Sequence, residues 1–582
     1  MTYFKASRWV KKTDEALQMM RQRLELEGAR SSQPAVTLYR ALDILKRSED
    51  ALQVLEESLK QRPDDVENAV FVAGELAIWN RTQRACEILD SITSGARAAE
   101  WHRVQARLAR MQGDRATQME HQRAILADNP LDTDAHRAVA SLLDFQEGGQ
   151  SGLRFLKEAC ALFRWHWHLH LAWLDWARDE GAEEWALPVI ELLRIDPHDA
   201  WAHREMADAL RAQKRFEEAH RELDEAERID SSSVCQYNVR ASVFEDEDRR
   251  DEAREEYRRA VCLDVDQSSA LHGLVRISAT QEARVEALRI IQAELKRQVT
   301  MGDGVLEFAS LAKAVLEPDE VEACLREAAQ ERPDLWQTTL MLAEHLRQND
   351  QEDEAVAISA ATTQKFPLLP RVWMEHALNL DGAGRRTEAI QAGLKMRELN
   401  PGWSWGMRSL SEMMRKEGDY TGARSVLEEL LRHEPQDGLN HGWLGEVLWD
   451  LDEREAAFTC LTRAVQLDPG YNWAWSSMEQ WGPMADKPEA VREAAQRVMD
   501  ERPGEARTWM IAAERLYHPN DLTARLSALD KAISLAPDSW GLVDAKALLL
   551  GEAGRFDEAL TLCRTHPSKN LNIRFREGWL LN

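Results

Sequence analysis

Apolar residues recur along this chain at helical spacing, in blocks that themselves return every 34 residues. Between residues 404 and 469, Gly418-Asp419-Tyr420, Ala423 and Pro435 come back as Asp452-Glu453-Arg454, Ala457 and Pro469. A period of that length, with a small residue in the middle and a proline at the end, predicts two helices and a turn per repeat. Counting so that the central small residue is position 20 and the closing proline position 32, repeats start at 200, 234, 268, 302, 336, 370, 404, 438, 472, 506 and 540, with earlier starts near 32, 66, 99, 132 and 166. The chain therefore predicts about sixteen units.

Within each unit the pattern assigns roles. Positions 8, 20 and 27 carry small residues such as Ala207, Ala219 and Ala226, which let helix axes approach to about 8–10 Å. Positions 7, 11 and 24 carry bulk, as in Leu342 and Leu346, or Leu444, Leu448 and Leu461. Pro197, Pro333, Pro367, Pro401, Pro435, Pro469, Pro503 and Pro537 end the second helix, because proline lacks a donor and disfavours helix in the residue before it. A single unit cannot bury its apolar stripe, so stability comes from stacking. Two places depart from the pattern. Position 32 is Ser231, Val265 and Val299 in three successive repeats, and the last leads into Gly302-Asp303-Gly304, so residues 231–304 are a candidate bend. At the other end Leu571, Ile573, Phe575, Trp579, Leu580 and Leu581 are apolar, which suits a short cap or a docking face.

Leu444-Gly445, Leu448, Ala457, Leu461 and Pro469, with Trp373, Trp475 and Trp509 at position 4, resemble the tetratricopeptide repeat (TPR) family over residues 32–563. The resemblance implies an all-α, right-handed superhelical solenoid whose first helices line a concave groove that binds peptides or protein surfaces. The expected organisation is a basic arm and capping helix at 1–31, TPR-like repeats at 32–301 and 302–563, and a partial repeat or cap at 564–582. Family members that clamp a carboxylate use Lys or Asn at positions 5, 6 and 9. Here position 6 holds Leu171, Glu205 and Val239, and position 9 holds Leu174, Asp208 and Ser242, so that clamp is not reproduced.

Composition narrows the function. The net charge of −27 disfavours nucleic acid, since phosphates need a basic stripe. Only the first 30 residues lean basic, and they read as a solvated arm. A charged fraction of 30%, a negative mean hydropathy and no long apolar run argue against a membrane span, and the start shows no secretory pattern. Seven scattered cysteines suit reduced thiols in a cytoplasmic protein. No nucleotide, metalloprotease or nucleophile-elbow motif occurs, so no catalytic residue, metal or cofactor is assigned and the chain is read as a non-enzyme. His166 and His170 stand one helical turn apart, but they lack an evident third ligand.

Tryptophan is the compositional anomaly, at 21 against 7 tyrosines. Trp167, Trp201, Trp405 and Trp473 fall at position 2, which the resemblance places on the groove. Two repeats share a set: Trp201, Arg204, Asp208 and Arg211 recur as Trp405, Arg408, Glu412 and Arg415. The spacing puts each set on one helix face, offering an aromatic platform beside guanidinium forks that suits an acidic or aromatic segment. The opposing reading is an ion-pair ladder running Arg204 to Asp208 to Arg211. His170, Arg178, Lys416 and Trp449 complete the candidate partner-binding residues, alternating with the acids Glu245, Asp246, Glu344, Glu446, Asp450 and Glu514. The sequence thus predicts a scaffold or adaptor for a protein or peptide. The alternative is a regulatory or substrate-presenting subunit of a separately encoded enzyme complex, docked through the apolar C-terminal end.

Overall fold

The structure is a computed structural model that describes all residues except 11, 46, 80, 93–98, 113, 148–149, 179–180, 299, 538, 566–570 and 582. Val299, one of the missing helix stops, lies outside the described residues. The described residues are helical throughout, with no strand, and form sixteen helix pairs flanked by helices at Thr2–Trp9, Thr13–Glu27 and Leu571–Leu581. First helices begin at Ala200, Val234, Ser268, Asp303, Trp336, Pro370, Ser404, Gly438, Asn472, Ala506 and Trp540, within one residue of the starts set by the period. Ala207, Ala219 and Ala226 are fully buried, and Leu342, Leu346, Leu444, Leu448 and Leu461 are buried in their own repeats.

Three local devices make each repeat. The turn between the two helices needs one left-handed residue, and position 15 supplies it as Gly384, Gly418 and Gly554, or as Lys214, Asp248, Asp350 and Asp452 with φ between 58° and 64°. An aspartate before the first helix caps it: Asp199 accepts from the Trp201 and Ala202 amides, and Asp437 from those of Leu439 and Asn440. The third device explains much of the tryptophan. Trp373, Trp475 and Trp509 donate their indole N–H to the carbonyl of the proline six residues earlier, Pro367, Pro469 and Pro503, at 2.9, 3.1 and 2.8 Å. His136, His203 and His441 set Nε2 about as close to Pro130, Pro197 and Pro435, at 3.0, 3.1 and 3.0 Å. Position 4 thereby ties the inter-repeat turn to the helix that follows it. Trp475 is completely buried, while Trp373 and Trp509 are half-buried.

The proline-free stretch is held by other means. The Asp266 carboxylate accepts from the Thr300 hydroxyl and from the amides of Met301 and Gly304. Burial pushes this carboxyl up, but those hydrogen bonds outweigh it and hold it below its ordinary range. Gln298 bridges the Val265 amide and the Val261 carbonyl, and Arg332 reaches the carbonyls of Leu295 and Gln298. The join expected to bend is laced by side-chain to backbone bonds.

Other departures have local causes. The arm expected in solvent forms a helix whose Phe4 is wholly buried in the first core. The first helix at Asn472–Trp481 is short because Pro483 cannot continue it, and Ala506–Ile511 runs into a π-helical turn at Ala512–Leu516. At the C-terminal helix, Leu580 packs into the last core beside Gly551, and Arg576 grips Asp544 through both carboxylate oxygens, while Phe575 stays 75% exposed.

The chain divides into two compact units, 157–400 and 1–156 with 401–582. Residues 302–400 group with 157–301, so this division does not coincide with the boundary expected at 302. First helices pack on the first helices of the next repeat, as Ala200–Ala212 does on Val234–Asp246 and Trp336–Gln348 on Pro370–Gly382, whereas second helices meet at fewer joints. Inside the unit built from both ends of the chain, distant repeats touch. Arg115 donates to the Glu501 carbonyl at 2.9 Å and lies 3.4 Å over the Phe145 ring, which Arg502 also approaches at 5.7 Å. Gln436 donates to the Met111 carbonyl, and Trp79 meets His433 edge-on at 4.9 Å.

Candidate functional site

Trp167, His170, Arg178, Trp201, Arg204 and Arg211 lie in the unit 157–400, and Trp405, Arg408, Arg415, Lys416, Trp449 and Trp473 lie in the other. The two sets are described separately.

In the first, Trp167 and Trp201 come from consecutive first helices and meet edge to face, 6.3 Å apart. Both rings remain half-exposed. His170 is a correction: it is only 1% exposed, with Nδ1 beside the His166 carbonyl, so it packs inside the repeat rather than on the groove. His166 is occupied as the helix cap, its Nδ1 accepting from the Leu169 amide, and only His168 of this trio is exposed. Arg178 bonds Glu205 of the next repeat at 2.5 Å. Arg211 pairs with Asp208 at 2.7 Å and with Asp246 of the next repeat at 2.6 Å. Burial works to lower its pKa, and those two carboxylates raise it instead.

Arg204 behaves differently. Its side chain is 12% exposed, Nε and Nη1 are buried with no hydrogen-bond partner, and its nearest carboxylate is Asp230 at 3.9 Å. The ladder expected to run through Asp208 omits it. Helical side chains lean toward the N-terminus, and Arg211 here turns back to the residue three positions before it. For Arg211 that residue is Asp208, but for Arg204 it is Trp201.

In the second set, Trp405 is 39% exposed and packs at 5.2 Å against Trp403. Arg408 donates to Asn440 Oδ1 at 2.7 Å and lies 3.4 Å from the capping Asp437. Arg415 holds Glu412 at 2.9 Å and both Glu446 and Asp450 at 3.2 Å, and its pKa is raised chiefly by Glu412. Lys416 also leans on Glu412. Trp449 stacks on Trp481 at 4.5 Å and carries Arg454 at 3.7 Å, and two groups that close cannot share one face of the ring. Trp473 is 37% exposed, stacked on Tyr471 and edge-on to Trp481.

The expected acids answer the arginines across repeats. Glu245 pairs with Arg276 and Glu344 with Lys313 of a neighbouring repeat, whereas Glu514 pairs with Arg515 beside it in the chain. Arg178, Arg211, Arg276, Lys313 and Arg415 thus join neighbouring repeats, through pairs 27, 31 or 35 positions apart. Sequence reasoning missed Asp437 and Asn440 as partners of Arg408, although an aspartate before the next first helix was a readable signal. Among the described residues no three or more His, Cys, Asp or Glu side chains gather as a metal site, and no helix is long and apolar enough to cross a membrane.

A tetratricopeptide repeat family model matches residues 440–471, and no curated protein matches the chain. Similar solved structures include Naa15/Naa10 bound to HypK-THB, at 14% identity over 94% of this chain and 96% of that one with a TM-score of 0.35. Another is the APC/C hetero-tetramer Cut9-Hcn1, at 12% identity over 84% of this chain and 97% of that one with a TM-score of 0.24. The described residues form an all-α stack of helix pairs, and the repeat that starts at Gly438 carries the tetratricopeptide repeat pattern.

Proposed function

We propose that this protein is a non-enzymatic, cytoplasmic scaffold or adaptor that holds a protein or peptide against the row of first helices. The observation that carries the reading is the set of partly exposed aromatic pairs on that row: Trp167 with Trp201, Trp403 with Trp405, and Tyr471 with Trp473. Large rings left at a surface are the residues from which interfaces draw most of their energy. The stacked repeats supply a rigid platform, so binding orders few side chains of the protein itself. The test is affinity purification from the native cell. Trp201→Ala combined with Arg204→Ala, or Trp405→Ala combined with Trp473→Ala, is expected to lose a partner that the unaltered protein retains, with an unchanged helical circular dichroism spectrum. Full retention of every partner by both doubles would remove the first helices as the binding surface.

A second reading, a subunit that docks a separate enzyme, is favoured by the exposed Phe575, Trp579 and Leu581 on the C-terminal helix. There Phe575→Ser with Leu581→Ser should release that enzyme while leaving the aromatic pairs' partner bound.

A further inference from the structure

The two repeats that share a Trp-Arg-acid-Arg pattern are not equivalent in the structure, and the difference points to a ligand. At Arg408 the next repeat offers Asp437, at the cap, and Asn440, whose Oδ1 accepts from the guanidinium at 2.7 Å. The corresponding positions beside Arg204 are Ser233, where the cap makes no side-chain hydrogen bond, and Gln236, which turns its amide N–H₂ to the Leu223 carbonyl at 2.6 Å.

The result is a cluster of unanswered polar groups at one seam. Arg204 Nε and Nη1 have no hydrogen-bond partner, and neither do Gln236 Oε1 and Asn238 Oδ1 on the facing helix. Among the four arginines of the repeated pattern, Arg211, Arg408 and Arg415 are each bonded to neighbours, and Arg204 alone holds only a distant acid. A guanidinium kept from water without bonds is unfavourably placed, so turning it outward to a carboxylate gives up little and recovers a charge-assisted pair. Trp167 and Trp201 stand beside it to take the apolar side chain of the same segment.

We infer that Arg204 is the anion-recognition point of the first-helix surface, and that its ligand is a single carboxylate of a partner peptide, next to an apolar or aromatic residue seated on Trp167 and Trp201. The inference rests on the groove reading above. One carboxylate fits better than an acidic run, because a net charge of −27 repels a polyanion. It needs no clamp built over two repeats. Arg204 is left open because the capping acid is replaced by Ser233 and the aligned amide of Gln236 is turned to the Leu223 carbonyl.

The test is a random decapeptide library panned on the full-length protein and on three variants. Arg204→Leu removes the guanidinium. Ser233→Asp with Gln236→Asn keeps Arg204 but supplies, at the positions aligned with Asp437 and Asn440, the two side chains that hold Arg408. Arg221→Leu, exposed on a second helix, is the control. The unaltered protein and Arg221→Leu are expected to enrich peptides with Asp or Glu beside Leu, Phe or Trp. Arg204→Leu should lose the acid preference, and the strongest enriched peptide should bind it roughly ten- to hundredfold more weakly by fluorescence anisotropy. The double variant should weaken that peptide in the same direction. If the double folds poorly by circular dichroism, Arg204→Lys serves instead, expected to bind more weakly than Arg204 yet keep some acid preference. Enrichment of neutral or basic peptides, or an acid preference untouched by Arg204→Leu, overturns this inference and leaves the groove standing. No enrichment on any form of the protein overturns the groove reading itself.

Discussion

Replacing Phe145 with alanine tests the contact that joins repeats far apart in sequence. The ring lies under Arg115 at 3.4 Å and near Arg502 at 5.7 Å, while Arg115 reaches the Glu501 carbonyl. These two cations repel, and Arg115 is held below its ordinary pKa by burial first and by Arg502 second. The ring is what lets them sit together. A partly desolvated cation–π contact contributes about 1–2 kcal/mol at the shorter distance and about 0.5 at the longer. Phe145→Ala should therefore favour local opening by about 2 kcal/mol, a factor of roughly 30. Hydrogen exchange reads this directly. The last turns of Ala99–Gln112 and Ala490–Glu501 should both exchange faster, although Arg115 and Glu501 are 386 residues apart, with Trp336–Gln348 unchanged. Faster exchange confined to residues 133–162 would refute the reasoning, since the ring would then matter only to its own repeat.

Two further outcomes follow from local packing and ionisation. Trp475→Phe removes the indole donor to the Pro469 carbonyl and leaves a gap at a fully buried site, so it should cost about 1–3 kcal/mol in urea unfolding, whereas the half-buried Trp373→Phe should cost less. Burial lowers the pKa of His345, His376 and His441. A depressed pKa means that the unfolded chain takes up the proton first, so stability is full above about pH 6.5 and is lost as the pH falls below it. Tm should drop between pH 7 and pH 5, and His376→Gln should flatten that slope, an effect a purely steric role would not produce.

The repeats were legible because their signals are local. Position 15 turns, position 20 alanines and position 32 prolines each act within one helix pair, and the first-helix starts followed to within a residue. The role of Trp475 was half legible: the family resemblance set it at position 4, while its bond to Pro469 needed the six-residue spacing to be read as a turn. The arginines were harder. Whether Arg204 or Arg408 is satisfied depends on Ser233 or Asp437 in the next repeat, so intrahelical spacing could not separate them. His170 was misplaced because a helical-face rule ignores that its ring turns back to the His166 carbonyl. Phe4 in the first core, and Arg115 against Glu501, depend on how chain segments dock, which no periodicity encodes.

The central claim is that recognition occurs on the first helices. It is tested most directly by placing a photo-reactive benzoylphenylalanine at Trp201 or Trp473, on first helices, and at Arg221 or Glu428, exposed on second helices, and irradiating native extract. Partner adducts confined to positions 201 and 473 are the predicted result. Adducts at 221 and 428 with none at 201 and 473 would contradict it.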